Sequence, residues 1–205
     1  MAHPRRTLLA ALAALAVLGG AGCAGAPPVA APPPVSAPAP APAPAPETAD
    51  PAPAPAAGPD LRQLLIDPGD IAVTGFLEPM VQPLAEDAVT GLVATFDTED
   101  GERQLGTTIV LLPDAAAAQE ATAGAVSSTG EQRTGARSTP APVGDHAVIF
   151  TGYELAGTAS TLLLFSQGTA SVAMDFRSPS TDPIPTAAVI ETGTRQAARL
   201  RPAFG

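Results

Sequence analysis

The sequence predicts an α+β domain, a two-layer sandwich in which helices pack mainly on one face of an antiparallel sheet. Three observations indicate this class. Short runs of alternating apolar and polar residues predict strands. Turn residues at close spacing join these runs into hairpins, whose strands are antiparallel. Two longer segments, one rich in alanine and one near the end of the sequence, predict helices that cover the sheet.

The first 22 residues predict an export signal. Arg5 and Arg6 precede an uncharged apolar stretch at 8–18, which is followed by small residues. The stretch is too short to span a hydrocarbon core of about 30 Å, so we expect no permanent transmembrane helix there. The two arginines resemble the core of a twin-arginine signal, and the export route stays open between the general and the twin-arginine pathway.

Cys23 is the sole cysteine of the chain, so no intramolecular disulfide can form. Ala21-Gly22-Cys23 resembles the end of a bacterial lipobox, with Gly20 where that family usually has Leu or Val. The resemblance implies that Cys23 is acylated, and two acyl chains hold a protein firmly on a membrane. The alternative is a secretory signal cut after Ala26, which would release a free secreted protein.

Residues 23–59 predict a disordered tether that begins at the lipidated cysteine. From Ala26 to Pro59 the chain has 14 prolines among 34 residues. Proline fixes φ and has no backbone N–H, so neither helix nor sheet is expected. Such a segment adopts polyproline II and forms an arm on the order of 100 Å when extended. Residues 60–205 then form the single folded domain.

The domain is predicted to begin with a short helix over 60–66, capped by Asp60, followed by a turn at 67–70 and a strand at 71–76. The alternation at 91–97 predicts a strand, which a hairpin at Asp100-Gly101 joins to a partner strand at 103–112. Asp114 is the predicted cap of the alanine-rich helix, which runs to about Ser128 and is stopped by Gly130.

Three further strands are predicted at 146–155, 161–165 and 169–177, with turns at Gly157 and at Gln167-Gly168. A closing helix at 186–200 carries Glu191 and Arg195 at the i,i+4 spacing of an ion pair. The residues of this helix expected in the core are Val189, Ile190, Ala197 and Leu200.

Several short motifs together resemble a known group of proteins. They are the lipobox, the Pro/Ala arm, the Leu-Leu-Ile-Asp-Pro-Gly-Asp-Ile run at 64–71 and Val143-Gly144-Asp145. The group comprises small actinobacterial, mycobacterial-type secreted lipoproteins and the extracellular sensor domains of some actinobacterial serine/threonine kinases. The resemblance implies an α+β domain on the extracytoplasmic face of the cell membrane. It implies no catalytic residue.

The charge of the chain argues against nucleic-acid partners. The formal net charge is −10, and all ten basic residues are arginine. Removal of Arg5 and Arg6 with the signal leaves 8 basic against 20 acidic residues, or −12. Such a surface repels phosphate backbones and has no basic stripe, so we expect no nucleic acid among the partners.

The residues give little support for catalysis, and we expect no enzyme and no cofactor. His146 is the sole histidine after the signal, and Asp145 next to it would point to the opposite face of a strand. No Gly-x-Ser-x-Gly elbow occurs. The acidic cluster of Asp97, Glu99, Asp100 and Glu102 does not have the spacing of a calcium loop, and a solvated hairpin tip explains it. We therefore expect no metal site.

Apolar residues occur on both faces of the predicted central sheet. Ile149, Tyr153, Leu162 and Leu164 are candidates for an apolar groove, unless the alanine-rich helix or the segment at 71–83 covers them. One function is then an interaction or sensor module that contacts an envelope protein. The alternative is a carrier of an apolar, lipid-like ligand between sheet and helix. An alanine-rich helix packs close to a sheet and leaves little room, which favours the first.

Overall fold

Seven antiparallel strands form one sheet in the computed structural model, and two helices pack against it. The structure describes residues 61–86, 89–133 and 135–204; the predicted signal, Cys23, the tether and Asp60 lie outside them. The strands are β1 (Met80–Glu86), β2 (Val89–Asp97), β3 (Gln104–Leu111), β4 (Arg137–Pro140), β5 (Asp145–Leu155), β6 (Thr158–Gln167) and β7 (Ala170–Pro179). The helices are α1 (Ala115–Gln132) and α2 (Thr186–Phe204). No described helix is both long and apolar enough to cross a membrane.

The strand with the clearest alternation, β7, lies near the middle of the sheet, whose order is β1-β2-β3-β7-β6-β5-β4. Ala170, Val172, Met174 and Phe176 are all buried on one face. Val172 lies opposite Phe165, and Met174 opposite Leu163. Strands β6 and β7 therefore share an inner face.

The two helices lie on opposite faces of the sheet. Val189, Ala197 and Leu200 of α2 join the main core with Leu163 and Phe165. On the other face Ala125 of α1 forms a smaller cluster, whose strand residues are Phe150, Leu162 and Leu164. The predicted class, α+β with an antiparallel sheet and helices packed against it, is confirmed. The arrangement differs in that α1 covers the second face, which is why β6 is apolar on both sides.

Helix α1 begins where the sequence predicts. The Asp114 side chain accepts a hydrogen bond from the Ala117 backbone N–H at 2.8 Å. The helix continues past Gly130 to Gln132, so Gly130 does not stop it. Its small side chains let it approach the sheet closely enough for the Thr122 and Ser171 hydroxyls to hydrogen-bond at 2.8 Å in a buried position.

Residues 61–79, which we call the strap, are neither the helix nor the strand that the sequence predicts. They contain two 3₁₀ turns, Leu61–Leu64 and Pro68–Asp70, and Phe76 makes a single bridge to Thr98. Side chains of α2 bond to the strap backbone instead of a neighbouring strand. The strap nevertheless supplies four buried apolar side chains to the core: Leu65, Ile66, Ile71 and Phe76.

Both edge strands contain proline, and the sequence predicts neither of them. Pro83 lies at the middle of β1, and Pro140 ends β4. Proline cannot donate to a ladder and is tolerated at a sheet edge, where the missing N–H would face outward. Proline is thus suited to an edge strand, but it also interrupts the sequence pattern from which a strand is predicted. The hairpin predicted at Asp100-Gly101 is present as a six-residue loop, 98–103.

Candidate functional site

The four residues predicted to line an apolar groove do not share one face. Leu162 and Leu164 lie under α1, while Ile149 is buried in the main core on the α2 face. Tyr153 lies opposite Ser160, on the face of Leu162. Helix α1 therefore covers Leu162 and Leu164, and the four side chains do not line one shared groove. Tyr153 instead lines a pocket with residues 183–186.

A bulge in β5 explains the position of Tyr153. Simple alternation from Ile149 would place Tyr153 on the α2 face. The register of β5 against β6 shifts between Phe150 and Tyr153, and Gly152 there has φ of +77°. One extra residue in a strand moves every later side chain to the other face. Tyr153 therefore stacks under the Arg133 guanidinium, 5.0 Å from the ring centroid.

Arg133 belongs to a polar cluster that fastens the end of α1 to the sheet. Its Nη1 donates to Ser160 Oγ at 2.7 Å, and its Nη2 donates to Asp175 Oδ1 at 3.2 Å. Ser160 Oγ donates to the same Oδ1 at 2.5 Å, and Arg177 Nε donates to Asp175 Oδ2 at 2.9 Å. One carboxylate thus satisfies two guanidinium groups. Because each of these side chains is hydrogen-bonded to another side chain of the cluster, the cluster fixes the end of α1 in place and offers no free nucleophile.

The acidic residues of the β2–β3 loop do not assemble a metal centre. No group of three or more His, Cys, Asp or Glu in the described residues converges as metal ligands would. Asp100 Oδ1 instead accepts from Thr98 Oγ1 at 2.6 Å and from the Glu102 backbone N–H at 3.0 Å. These two hydrogen bonds lower the pKa of Asp100, the Thr98 bond most. His146 is exposed at the start of β5 with φ of +52°.

The strap fixes the point at which the chain joins the domain. It runs antiparallel to α2: Gln63 O accepts from Arg199 Nε, and further along Ala72 N donates to Thr192 Oγ1. Arg199 lies 13 positions after the helix start at Thr186 (199 minus 186), or about 20 Å along the helix axis. The chain therefore joins the domain about 20 Å away from the end of the sheet at which α2 begins.

That far end of the sheet carries four exposed segments, which we call the distal surface. It consists of residues 77–80, 98–103, 154–157 and 180–185. The pairings Met80 with Thr95, Gln104 with Arg177, and Thr158 with Pro179 place these segments at one end of their strands. Arg103 forms an ion pair with Asp182, which joins the second segment to the fourth.

All three large hydrophobic side chains that are exposed in the described residues belong to the distal surface. They are Leu77 at 51%, Met80 at 68% and Leu155 at 65%. The sequence pattern does not single out any of them. A weak signal exists, because Met80 follows Pro79 and Leu155 precedes Ala156-Gly157, and an apolar side chain beside a turn is less easily buried.

Two pockets open at this end of the molecule. One, of about 390 Å³, lies between Thr74-Gly75 of the strap and the β2–β3 loop. The other, of about 410 Å³, lies between the ends of β5 and β6 and residues 183–186. The second is lined by both apolar and polar residues, among them Ile184, Pro185, Thr151 and Thr161. The two pockets of the distal surface are thus large enough to receive side chains of another molecule.

No family model matches the chain, and no curated protein matches it. Among solved structures, the chain is similar to the extracellular domain of PknH from Mycobacterium tuberculosis. The likeness covers 73% of this chain and 97% of that one, with 12% sequence identity and a TM-score of 0.48. Nothing about binding partners follows from a likeness at this level. The resemblance to lipoproteins drawn from the sequence stays a prediction.

Proposed function

We propose that this chain is a lipid-anchored extracytoplasmic interaction module that presents the distal surface to a partner in the cell envelope. The observation that carries the proposal is the position of the exposed hydrophobic residues. Leu77, Met80 and Leu155 all lie at the end of the sheet where α2 begins, at two sites of the distal surface. Exposed apolar side chains that are rimmed by polar residues mark interaction sites.

The N-terminal sequence gives the proposal its cellular setting. The export signal and Cys23 support attachment to the outer leaflet through acyl chains, and the Pro/Ala arm would hold the domain away from the lipid. Gln63, which is close in sequence to the predicted arm, bonds to α2 about 20 Å along the helix from the end at which the distal surface lies. In this proposal the distal surface is the contact face of the interaction or sensor module predicted from the sequence.

The packing of the interior also supports an interaction module over a carrier. The strand residues on the second face, Phe150, Leu162 and Leu164, are covered by α1 and almost inaccessible to solvent. On the first face α2 and the strap together cover the sheet. An apolar ligand would need the space that these side chains already occupy.

Site-specific photo-crosslinking on intact cells of the source bacterium tests the proposal. A photoreactive phenylalanine analogue would replace Leu155 in one variant and Met80 in another. The matched control replaces Arg201, which is exposed near the end of α2 on the opposite side of the molecule. We expect discrete protein adducts at Leu155 and Met80 that are missing at Arg201. Equal adducts at all three positions, or none at Leu155 and Met80, would contradict the proposed surface.

A further inference from the structure

We infer that the partner of the distal surface is a protein whose contact face carries basic side chains between two apolar sites. This inference rests on the proposed function and adds the chemistry of the partner. It is drawn from the width of the surface, its charge and the rigidity of its loops.

The width of the distal surface fits a protein partner. Leu77 and Met80 lie at β1, and Leu155 lies at the end of β5, five strand positions away in the sheet order. At about 4.8 Å between neighbouring strands, this separation is about 24 Å. A standard protein interface covers about 800 Å² on each partner, which is a patch of similar width. A small metabolite could touch one of the two apolar sites but not both.

The negative charge of the distal surface indicates a positively charged contact face on the partner. Its segments contain six exposed carboxylates and one guanidinium group. The carboxylates belong to Glu78, Glu99, Asp100, Glu102, Glu154 and Asp182. The guanidinium is that of Arg103, which is already paired with Asp182. Behind the loops, Arg133 and Arg177 are both held by Asp175. Polyanions such as nucleic acids and acidic lipid headgroups are repelled by such a surface, whereas Arg and Lys of a partner are attracted.

The β2–β3 loop, which carries three of these carboxylates, is ordered by its own hydrogen bonds. Thr98 N donates to Arg103 O at 3.0 Å, and Arg103 N donates to Thr98 Oγ1 at 3.0 Å. Gly101 N donates to Thr98 O at 2.8 Å, and the ion pair of Arg103 with Asp182 holds the loop from the side. A surface that is already ordered loses little conformational entropy when it binds, so it suits recognition by a complementary rigid face.

A peptide-display experiment tests the inference with a defined probe. A random library of about 12-residue peptides, which reach about 40 Å when extended and can therefore cover the 24 Å span, would be selected against the chain from residue 23 onward carrying Cys23→Ser. Selected peptides are then measured against two variants of the distal surface. One combines Met80→Asp with Leu155→Asp, and the other combines Glu99→Lys with Glu102→Lys. Asp100 stays unchanged because its side chain orders the loop. Glu120→Lys on the exposed side of α1 is the matched control.

We expect the selected peptides to contain Lys or Arg next to apolar residues. Their affinity should fall on the order of tenfold or more in both variants and stay unchanged in the control. Peptides without an excess of Lys or Arg that still lose affinity with Met80→Asp and Leu155→Asp would overturn the basic partner and leave the proposed function standing. Peptides unaffected by either variant would overturn both. A selection that enriches no sequence would also overturn the inference.

Discussion

Gln196 of α2 holds the backbone of Ile66 across 130 positions of sequence: its Oε1 accepts from the Ile66 N–H at 3.1 Å. The same side chain donates from Nε2 to Leu64 O at 2.6 Å. One buried amide therefore provides both hydrogen bonds that a neighbouring strand would give to the strap. This side chain lies entirely out of solvent, and it holds the first half of the strap together with Arg199, which donates to Gln63 O.

Replacing Gln196 with Leu should destabilise the domain by about 2 kcal/mol, because the buried Ile66 N–H and the Leu64 carbonyl lose their partner. Chemical unfolding followed by circular dichroism measures the change. Hydrogen exchange should locate it, with faster exchange at the amide of Ile66. Thr194→Ala is the control, since Thr194 is exposed and bonds only within its own helix. An equal loss of stability in the two variants would show that Gln196 has no special role.

Two glycines in helices should respond in opposite ways to alanine. A Cβ on Gly193 would lie 2.3 Å from Leu163 Cδ2 and 3.3 Å from Val143 Cγ1, so the buried Leu163 side chain or α2 itself would have to shift. We expect Gly193→Ala to destabilise by about 1–3 kcal/mol, as overpacking does. A Cβ on Gly130 meets nothing within 4 Å, so Gly130→Ala should stabilise by about 0.5–1 kcal/mol through helix propensity. Thermal unfolding compares them, and a shift of the same sign in both would contradict the packing described for α2.

The β2–β3 loop should respond to acid through Asp100. Hydrogen bonds from Thr98 and from the Glu102 N–H favour the charged carboxylate and lower its pKa below the ordinary value of 3.8. The folded pKa is thus below the unfolded one, so the contribution of Asp100 to stability is present above pH 3.8 and is lost as the pH falls through the folded pKa.

Thr98→Val removes the larger of these effects, and the pKa of Asp100 should then rise toward 3.8. A carboxyl titration followed by nuclear magnetic resonance measures this change. Thr95→Val, in the strand before the loop, should leave the pKa of Asp100 where it is. An unchanged pKa in the Thr98 variant would contradict the hydrogen-bond assignment.

Membrane attachment should depend on Cys23 alone. Cys23→Ser removes the acylated side chain, and the protein should move from the detergent phase to the aqueous phase in Triton X-114 partition, because two acyl chains supply nearly all of the membrane affinity. Cys23→Ala should give the same result, which would show that the loss of the acylated thiol causes the change and not the hydroxyl group that serine introduces. A chain that stays in the detergent phase after both substitutions would refute the lipid anchor.

Regular alternation and capping made several elements predictable from local sequence. The alternation of Ala170 to Phe176 identifies a strand buried on one face, and Asp114 before a run of alanines identifies the start of α1. In both cases the signal lies within a few residues of the element. Local patterns of this kind act before any tertiary contact forms.

The strap and the groove residues could not be predicted because their structure depends on distant partners. Leu61 to Ile66 has the spacing of a short helix, yet its backbone bonds to Gln196 and Arg199 of the last helix. Tyr153 changes face because of a bulge at Gly152, and alternation alone does not reveal a bulge. The distal surface joins Leu77 to Leu155, which are brought to one end of the sheet by strand order alone.

The two prolines at the sheet edges have a consequence for many copies held side by side. Exposed sheet edges are the usual sites at which strands of two folded proteins pair and form fibres. A second strand laid along β1 would find no donor at Pro83, and one laid along β4 would have only four residues ending at Pro140. If the proposed lipid anchor holds many copies on one membrane, neighbours would collide edge to edge and separate again, so each copy would stay individually available.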